Sequence, residues 1–347
     1  MTPANGRSWF RLAARVGALL ALVVVVVGAW VRLTDAGLGC PDWPGCYGRI
    51  HPAIVAAHAG EAASAYPSRP FEYQKALHEM VHRYVAGALL LVVLGLAIAS
   101  VRNRRDPSQP RVLPWVLLAV ICLQAALGAF TVTWLVAPLV VTAHLAGGMT
   151  TLALLWWLSL APEARDLKPA ERPLGRLALV AVVVVALQIL LGGWTSSNYA
   201  AVACPDFPLC QGRWLPAFDA HDAFVPWRGR GVDYEHGVLA APARTAIHLA
   251  HRLGAVVTGV TLLALALLAW RRAPTGRARR AAVLLAAALA LQWLIGINLI
   301  WQGFPLALGT AHNLGAALVL LATLALVRAL HPGRPGIAIR LTPGERL

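Results

Sequence analysis

The sequence predicts an all-α integral membrane protein whose eight transmembrane helices form two four-helix bundles as a parallel repeat. Three observations predict this fold: a composition too apolar for a soluble protein, a set of long uncharged runs, and a loop motif that occurs twice. The chain has 347 residues, of which 59% are hydrophobic and 13% are charged, whereas a soluble globular protein carries about 25% charged residues. So little charge cannot cover a water-facing surface. A soluble enzyme and a nucleic-acid-binding protein are therefore not expected, despite the net charge of +15.

Uncharged runs locate the helices, because a spanning helix needs about 20 predominantly apolar residues. The runs are 16–31, 84–101, 112–162, 177–205, 253–270 and 281–327. The third is interrupted near Pro138 and the sixth near Gly303, so each of these two holds a pair of helices. Backbone groups in lipid must be hydrogen-bonded within their own segment, which requires helices. The predicted spans are 12–33, 76–100, 112–132, 139–160, 176–197, 245–270, 280–301 and 307–328.

The distribution of basic residues predicts the orientation of the spans. The N-terminus, the three loops on its side and the C-terminal tail hold 20 of the 30 Lys and Arg residues and five of the 15 acidic residues. This face therefore carries the whole net charge of +15, while the opposite face carries ten basic and ten acidic residues. The positive-inside rule then predicts that both termini are cytoplasmic. The lipid bilayer, not nucleic acid, is the expected partner of the basic residues.

An unusual loop string occurs twice, at an offset of 164 residues. It reads Cys40-Pro-Asp-Trp-Pro-Gly-Cys46 in the loop 34–75 and Cys204-Pro-Asp-Phe-Pro-Leu-Cys210 in the loop 198–244. Other landmarks recur in the same order, so the sequence indicates a duplication. Each half has four spans, an even number, so the halves share one orientation and form a parallel repeat. We predict an N-terminal bundle over 1–165 and a C-terminal bundle over 166–347.

Four histidines recur at equivalent positions: His82 and His144 in the first half, and His251 and His312 in the second. Each lies near the start of an even-numbered span, so all four are expected near the outer membrane surface. Two facing imidazoles inside a helix bundle can ligate haem iron axially. A single such histidine could instead be a packing residue, and zinc would need further ligands that the spans of each half lack. No Cys-x-x-Cys-His string occurs, so covalent haem is not expected.

Two arginines and two glutamines also recur. Arg83 and Arg252 directly follow a repeated histidine, and each could bind a haem propionate through its guanidinium fork or extend to the membrane surface. Gln124 and Gln292 occupy odd-numbered spans, where interhelical hydrogen bonding is one role among others. The role of these glutamines stays open.

The five cysteines divide into two loop pairs and a single thiol. The outer side is oxidising, so the loop cysteines can form disulfides, and four cysteines allow three connectivities. The repeated spacing with two prolines favours the pairs Cys40–Cys46 and Cys204–Cys210. Each would act as a structural staple, with redox activity as the alternative. Cys122 is expected to be an inert apolar thiol.

One position breaks the repeat. Glu79 lies three residues before His82 and on the same helix face, whereas His248 holds the equivalent position before His251. A carboxylate at membrane depth is costly, about 2.5–3.5 kcal/mol on insertion scales, and points to function. A structural partner for Arg83 or His78 is the alternative. The asymmetry predicts chemistry at the first pair of histidines and binding or electron transfer at the second.

These residues together resemble the haem A synthase family. The stretch Val31-Arg-Leu-Thr-Asp-Ala-Gly-Leu-Gly-Cys-Pro-Asp-Trp-Pro-Gly-Cys46 is similar to the family signature after the first span, and Glu79-Met-Val-His82-Arg83 is similar to its acidic-x-x-His-Arg motif. The histidines of spans 4, 6 and 8 also match, and the likeness covers about 12–328.

The resemblance implies an oxidoreductase of the bacterial plasma membrane that converts the C8 methyl group of haem O into the formyl group of haem A by successive hydroxylation, for terminal oxidase. It implies that His82 and His144 bind the substrate haem O with Glu79 as the catalytic residue, and that His251 and His312 hold haem b. Candidate partners are a haem O synthase (a farnesyltransferase), an electron donor such as quinol, and a second copy of the chain.

Two other classes of protein remain as alternatives. A b-type cytochrome with two histidine ligands per haem, transferring electrons from quinol, would use the same four histidines but would need no Glu79. A haem transporter or chaperone would bind haem transiently. Mass identification of the extracted haems distinguishes the three, because only a synthase yields haem B together with haem O, a hydroxylated product and haem A.

Overall fold

The structure is a computed structural model that describes residues 3–103, 106, 109–161, 172–229, 231–273 and 275–331. Within these residues eight helices are long and apolar enough to cross a membrane, which confirms the predicted all-α membrane fold. They are α1 (Pro3–Leu33), α2 (Tyr73–Arg102), α3 (Leu113–Thr133), α4 (Pro138–Ser159), α5 (Arg172–Ser197), α6 (Ala241–Arg272), α7 (Gly276–Trp301) and α8 (Leu306–Leu330). The predicted boundary between the halves, at 165–166, and the tail after 331 lie outside the described residues.

Most of these helices extend past the predicted apolar spans. The helix α1 begins at Pro3 rather than 12, and α6 covers Ala241–Arg272 rather than 245–270. The reason is that helical structure continues through the polar ends, where hydropathy no longer identifies it. Proline opens α4 at Pro138 and lies in the first turn of α6 at Pro242, where the missing N–H has no helical partner to lose.

Each half closes a ring of four contacting helices. In the first half α1 and α3 each contact both α2 and α4, and in the second α5 and α7 each contact both α6 and α8. Across the halves α8 contacts α1 and α4, and α4 contacts α5. One apolar core, containing Leu117, Leu155, Leu262 and Leu285, includes residues of both halves. The division into two bundles and the orientation of the termini stay predictions.

The two long loops cover the ends of the rings that carry the histidines. The first contains the short helices Pro52–Ala57 and Ala59–Ala65, and the second contains Ala220–Ala223. Arg69 of the first loop donates to the carboxylate of Asp233 at 2.8 Å and to that of Glu235 at 2.6 Å in the second. These ion pairs join the two loops directly above the helices.

Candidate functional site

The four repeated histidines form two pairs of facing imidazoles. The ring centroids of His82 on α2 and His144 on α4 lie 6.5 Å apart with an interplanar angle of 81°. Those of His251 on α6 and His312 on α8 lie 6.4 Å apart at 76°. All four side chains are partly buried. The structure thus brings together the histidines that the repeat predicted, and it gives both pairs almost the same geometry.

The spacing of each pair would suit two imidazole ligands of one haem iron. Two metal–nitrogen bonds of about 2 Å each place opposed imidazole centroids about 6 Å apart, close to the 6.5 Å and 6.4 Å of the structure. Within the described residues the Nδ1 atoms of His82, His144 and His312 are buried without a hydrogen-bond partner. Burying a ring nitrogen costs free energy unless it has a hydrogen-bond partner or binds a metal ion.

A glycine of the preceding helix makes room for each imidazole. A Cβ atom added to Gly28 or Gly296 would lie 3.0 Å from Cε1 of His82 or His312, respectively. The corresponding distance is 3.4 Å from Gly128 to His144 and 3.3 Å from Gly192 to His251. The same packing arrangement therefore occurs four times in the two halves: a glycine on an odd-numbered helix contacts a histidine on the next helix.

Glu79 lies buried beside the first pair, with 5% of its surface exposed. Its Oε2 accepts the backbone N–H of Cys40 at 2.8 Å, and its Oε1 accepts from Nη2 of Arg83 at 2.5 Å. The carboxylate is thus held between α2 and the disulfide loop, one helical turn before His82. The ion pair with Arg83 is the structural partnership that the sequence left as an alternative to a catalytic role.

Arg83 ties the disulfide loop to α2. Its Nη1 donates to the carbonyl oxygens of Asp42 at 3.0 Å and Pro44 at 3.3 Å, and also to that of Gly45. The guanidinium group therefore supports the loop from below. Its predicted role with a haem propionate stays a prediction.

The second half repeats this arrangement with His248 in place of Glu79. His248 is buried, and its Nδ1 accepts the backbone N–H of Cys204 at 3.3 Å. Arg252 donates from Nε to Nε2 of His248 at 3.3 Å, from Nη1 to the carbonyl oxygen of Leu209 at 2.8 Å, and from Nη2 to that of Asp206 at 2.7 Å. An imidazole thus occupies the place of the Glu79 carboxylate, while the loop and the arginine stay the same.

The two disulfide loops are closely similar in structure, and the predicted pairings Cys40–Cys46 and Cys204–Cys210 are both present. In the second loop Asp206 accepts the backbone N–H groups of Gln211 at 2.6 Å and Gly212 at 2.7 Å. These donors, that of Gly212 foremost, lower the pKa of Asp206.

The first loop uses the same turn. Asp42 accepts the backbone N–H groups of Tyr47 at 2.6 Å and Gly48 at 2.7 Å. The first loop therefore places the backbone amide of Cys40 against Glu79. The second loop places the backbone amide of Cys204 against His248. The fifth cysteine, Cys122, is a free thiol on the exposed surface of α3.

Sequence reasoning missed Gln188, a third glutamine beside a histidine. Its Nε2 lies 3.1 Å from Nδ1 of His251 and 3.0 Å from the backbone oxygen of the same residue. Gln292 makes the matching contact with the backbone oxygen of His312 at 3.0 Å. The signal in the sequence was the spacing of a glutamine four residues before a supporting glycine, which occurs at 124–128, 188–192 and 292–296.

Comparison with known proteins gives one consistent result. Residues 11–324 match the family COX15-CtaA, described as cytochrome oxidase assembly protein. A haem A synthase of Shewanella oneidensis is 42% identical over 310 residues, which cover 88% of this chain and 92% of that protein. A haem A synthase of a Methylobacterium species is 31% identical, with 87% of each chain covered. One from Shouchella clausii is 28% identical, with 79% of each covered.

The matched region includes α2 to α7 in full, most of α1 and α8, and both disulfide loops, so the family resemblance seen in the sequence motifs is confirmed. The chain therefore belongs to the COX15-CtaA family of cytochrome oxidase assembly proteins, together with the haem A synthases to which it is similar.

Proposed function

We propose that this protein is a haem A synthase, which oxidises the C8 methyl group of haem O to a formyl group for use in terminal oxidase. Membership of the family and the names of its relatives support an oxidoreductase that acts on haem O in the membrane. The observation that carries the proposal is an asymmetry between two sites whose imidazole pairs have almost the same geometry. Glu79 stands beside the first imidazole pair, and His248 stands beside the second.

In this proposal the first half binds the substrate. His82 and His144 are the iron ligands of haem O, and Glu79 is the catalytic carboxylate. Glu79 and His82 share one face of α2 because they are three residues apart. Arg83 and the amide of Cys40 hold the carboxylate in place at 2.5 Å and 2.8 Å, and the disulfide loop above it limits the access of water. A carboxylate so placed can take up and return protons during oxidation of the methyl group.

The second half binds a resident haem b through His251 and His312. When bound, that group supplies one-electron transfer. Its site lacks a counterpart of Glu79, since His248 is held between the amide of Cys204 and Arg252. A site with two imidazole ligands and no acidic group beside them suits electron transfer, not bond formation at the haem edge.

The reaction proposed is two successive hydroxylations of one carbon. Each replaces a C–H bond by a C–OH bond and removes two electrons from the carbon; with dioxygen as the oxidant, each step also takes two electrons and two protons from the electron donor and releases one water. The resulting gem-diol loses water to give the formyl group, so the carbon loses four electrons in total. The protein must therefore move protons repeatedly at one position, which is the task assigned to Glu79.

Extraction of the haems tests this function. The protein is expressed in a host that makes haem O, purified in detergent, and its haems are identified by mass. We expect haem B together with haem O, a hydroxylated intermediate and haem A. Haem B alone would favour a cytochrome that only transfers electrons. A variable haem mixture lost during purification would favour a transporter or chaperone.

A further inference from the structure

Three of the four histidines have a glutamine on the preceding helix, and the fourth does not. Gln124, Gln188 and Gln292 each lie four residues before the glycine that supports a histidine. The same position before Gly28 is Val24. The histidine supported by Gly28, and so without such a glutamine, is His82.

Each of these glutamines is fitted against a second glycine, which lies three residues after the histidine. A Cβ atom added to Gly147, Gly254 or Gly315 would lie 1.7 Å, 2.2 Å or 2.0 Å from the side chain of the glutamine opposite. No larger residue can occupy these positions while the glutamine stays in place. The position three residues after His82 is Val85.

The first helix pair therefore differs at both partner positions. Where the other three pairs combine a glutamine with a glycine, α1 and α2 combine Val24 with Val85. Neither valine side chain can donate or accept a hydrogen bond. The difference is confined to the histidine that follows Glu79 on α2.

The glutamine amide can fix a ligand histidine. Residues that hydrogen-bond a metal ligand fix its orientation. Nε2 of Gln188 lies 3.1 Å from Nδ1 of His251, and Nε2 of Gln292 lies 3.4 Å from Nε2 of His312. The same two Nε2 atoms donate to the backbone oxygens of His251 and His312 at 3.0 Å, so each glutamine holds both the ring and the helix backbone of its histidine.

We propose that Gln124, Gln188 and Gln292 are positioning residues that lock His144, His251 and His312 as haem ligands, and that the unlocked His82 is the ligand that lets the substrate haem enter and the product haem leave. The identity of the first-half haem rests on the proposed function. The second half, with two locked ligands, then retains its haem. The first half, with one locked and one unlocked ligand, exchanges it.

Introducing the glutamine and glycine that the His82 helix pair lacks tests this proposal. The double variant Val24→Gln/Val85→Gly recreates the pair of partners around His82, and Val24→Met/Val85→Gly is its control, with a side chain of similar length but no amide. Protein loaded with haem O is mixed with excess apomyoglobin, and the haem O and haem B that remain are quantified by mass over time.

Removal of a residue that hydrogen-bonds a metal ligand typically changes metal affinity by about 10–100-fold, so we expect the glutamine variant to release haem O at least about tenfold more slowly than the original protein. Release of haem B should not change, and the methionine control should release haem O at the original rate. Equal slowing by the control, or no slowing by the glutamine variant, would overturn the proposal.

Removing a lock gives an independent test in the second half, whose readout does not require haem O. In Gln188→Met the reduced haem b should bind carbon monoxide and transfer to apomyoglobin 10–100-fold faster. Gln188→Glu, whose carboxylate cannot donate to the backbone oxygen of His251, should show the same acceleration. An unchanged spectrum and release rate in Gln188→Met would refute the lock. Absence of haem O from the original protein would instead refute the proposed function and leave this test valid.

Discussion

Glu79 is both an ion-pair partner and the proposed catalytic carboxylate, and Glu79→Gln separates the two roles. Glutamine keeps an oxygen for the N–H of Cys40 but loses the charge that faces Arg83 at 2.5 Å. Leaving a fully buried charge without its partner lowers the free energy of unfolding by about 3–5 kcal/mol. Arg83 retains the carbonyl oxygens of the disulfide loop as acceptors, so a loss of about 1.5–3 kcal/mol, typical of one hydrogen bond to a charged group, is expected.

The catalytic loss should be larger than this change in stability can explain. Proton transfer by a positioned side chain contributes about 10²–10⁴-fold to a rate, so haem A formation should fall by that factor in Glu79→Gln while the haem b content stays normal. Haem O or a hydroxylated intermediate should accumulate. Haem A is quantified by mass in extracts of purified protein, and stability is measured by thermal unfolding in the same detergent.

A double variant provides the decisive control. In Glu79→Gln/Arg83→Met the unpaired charge is removed, but the carbonyl oxygens of the disulfide loop also lose their donor, so stability should not exceed that of Glu79→Gln. If Glu79 is only the charge partner of Arg83, haem A formation per folded protein returns. If Glu79 transfers protons, the double variant stays inactive, as we expect. Haem A output of Glu79→Gln within about threefold of the original would refute the catalytic role, because it lies far below the expected 10²–10⁴-fold.

Three further outcomes are expected. In protein made without haem O, His251→Ala should abolish most of the low-spin b-type absorption spectrum and His82→Ala should leave it intact; the reverse would exchange the two haem assignments. Gly296→Ala should reduce haem b content, because its Cβ would lie 3.0 Å from His312, whereas unchanged content would show that the ring can move aside without loss. Reporter fusions near Ala65 should report the outside and fusions at the C-terminus the cytoplasm, and the opposite pattern would reject the orientation inferred from the basic residues.

The sequence determined the membrane fold and most of the site. Charge is so sparse along the chain that uncharged runs located all eight spans, with errors only at the helix ends. The duplicated loop string and the repeated histidines predicted both the disulfides and the two imidazole pairs. The repeated residues could be predicted because a duplicated sequence conserves the same contacts in both halves. The spans could be predicted because hydropathy depends on the residues of a span and not on their neighbours in space.

The tertiary structure decided what surrounds each histidine. The pattern could not show that Arg83 and Arg252 support the disulfide loops, or that the amide of Cys40 holds Glu79, since these partners are about 40 residues apart in the chain. It likewise left the glutamines without a role until Gln188 was found beside His251. Spacing fixes which residues share a helix face, but the rotation and approach of neighbouring helices decide which face meets which, and only packing sets those.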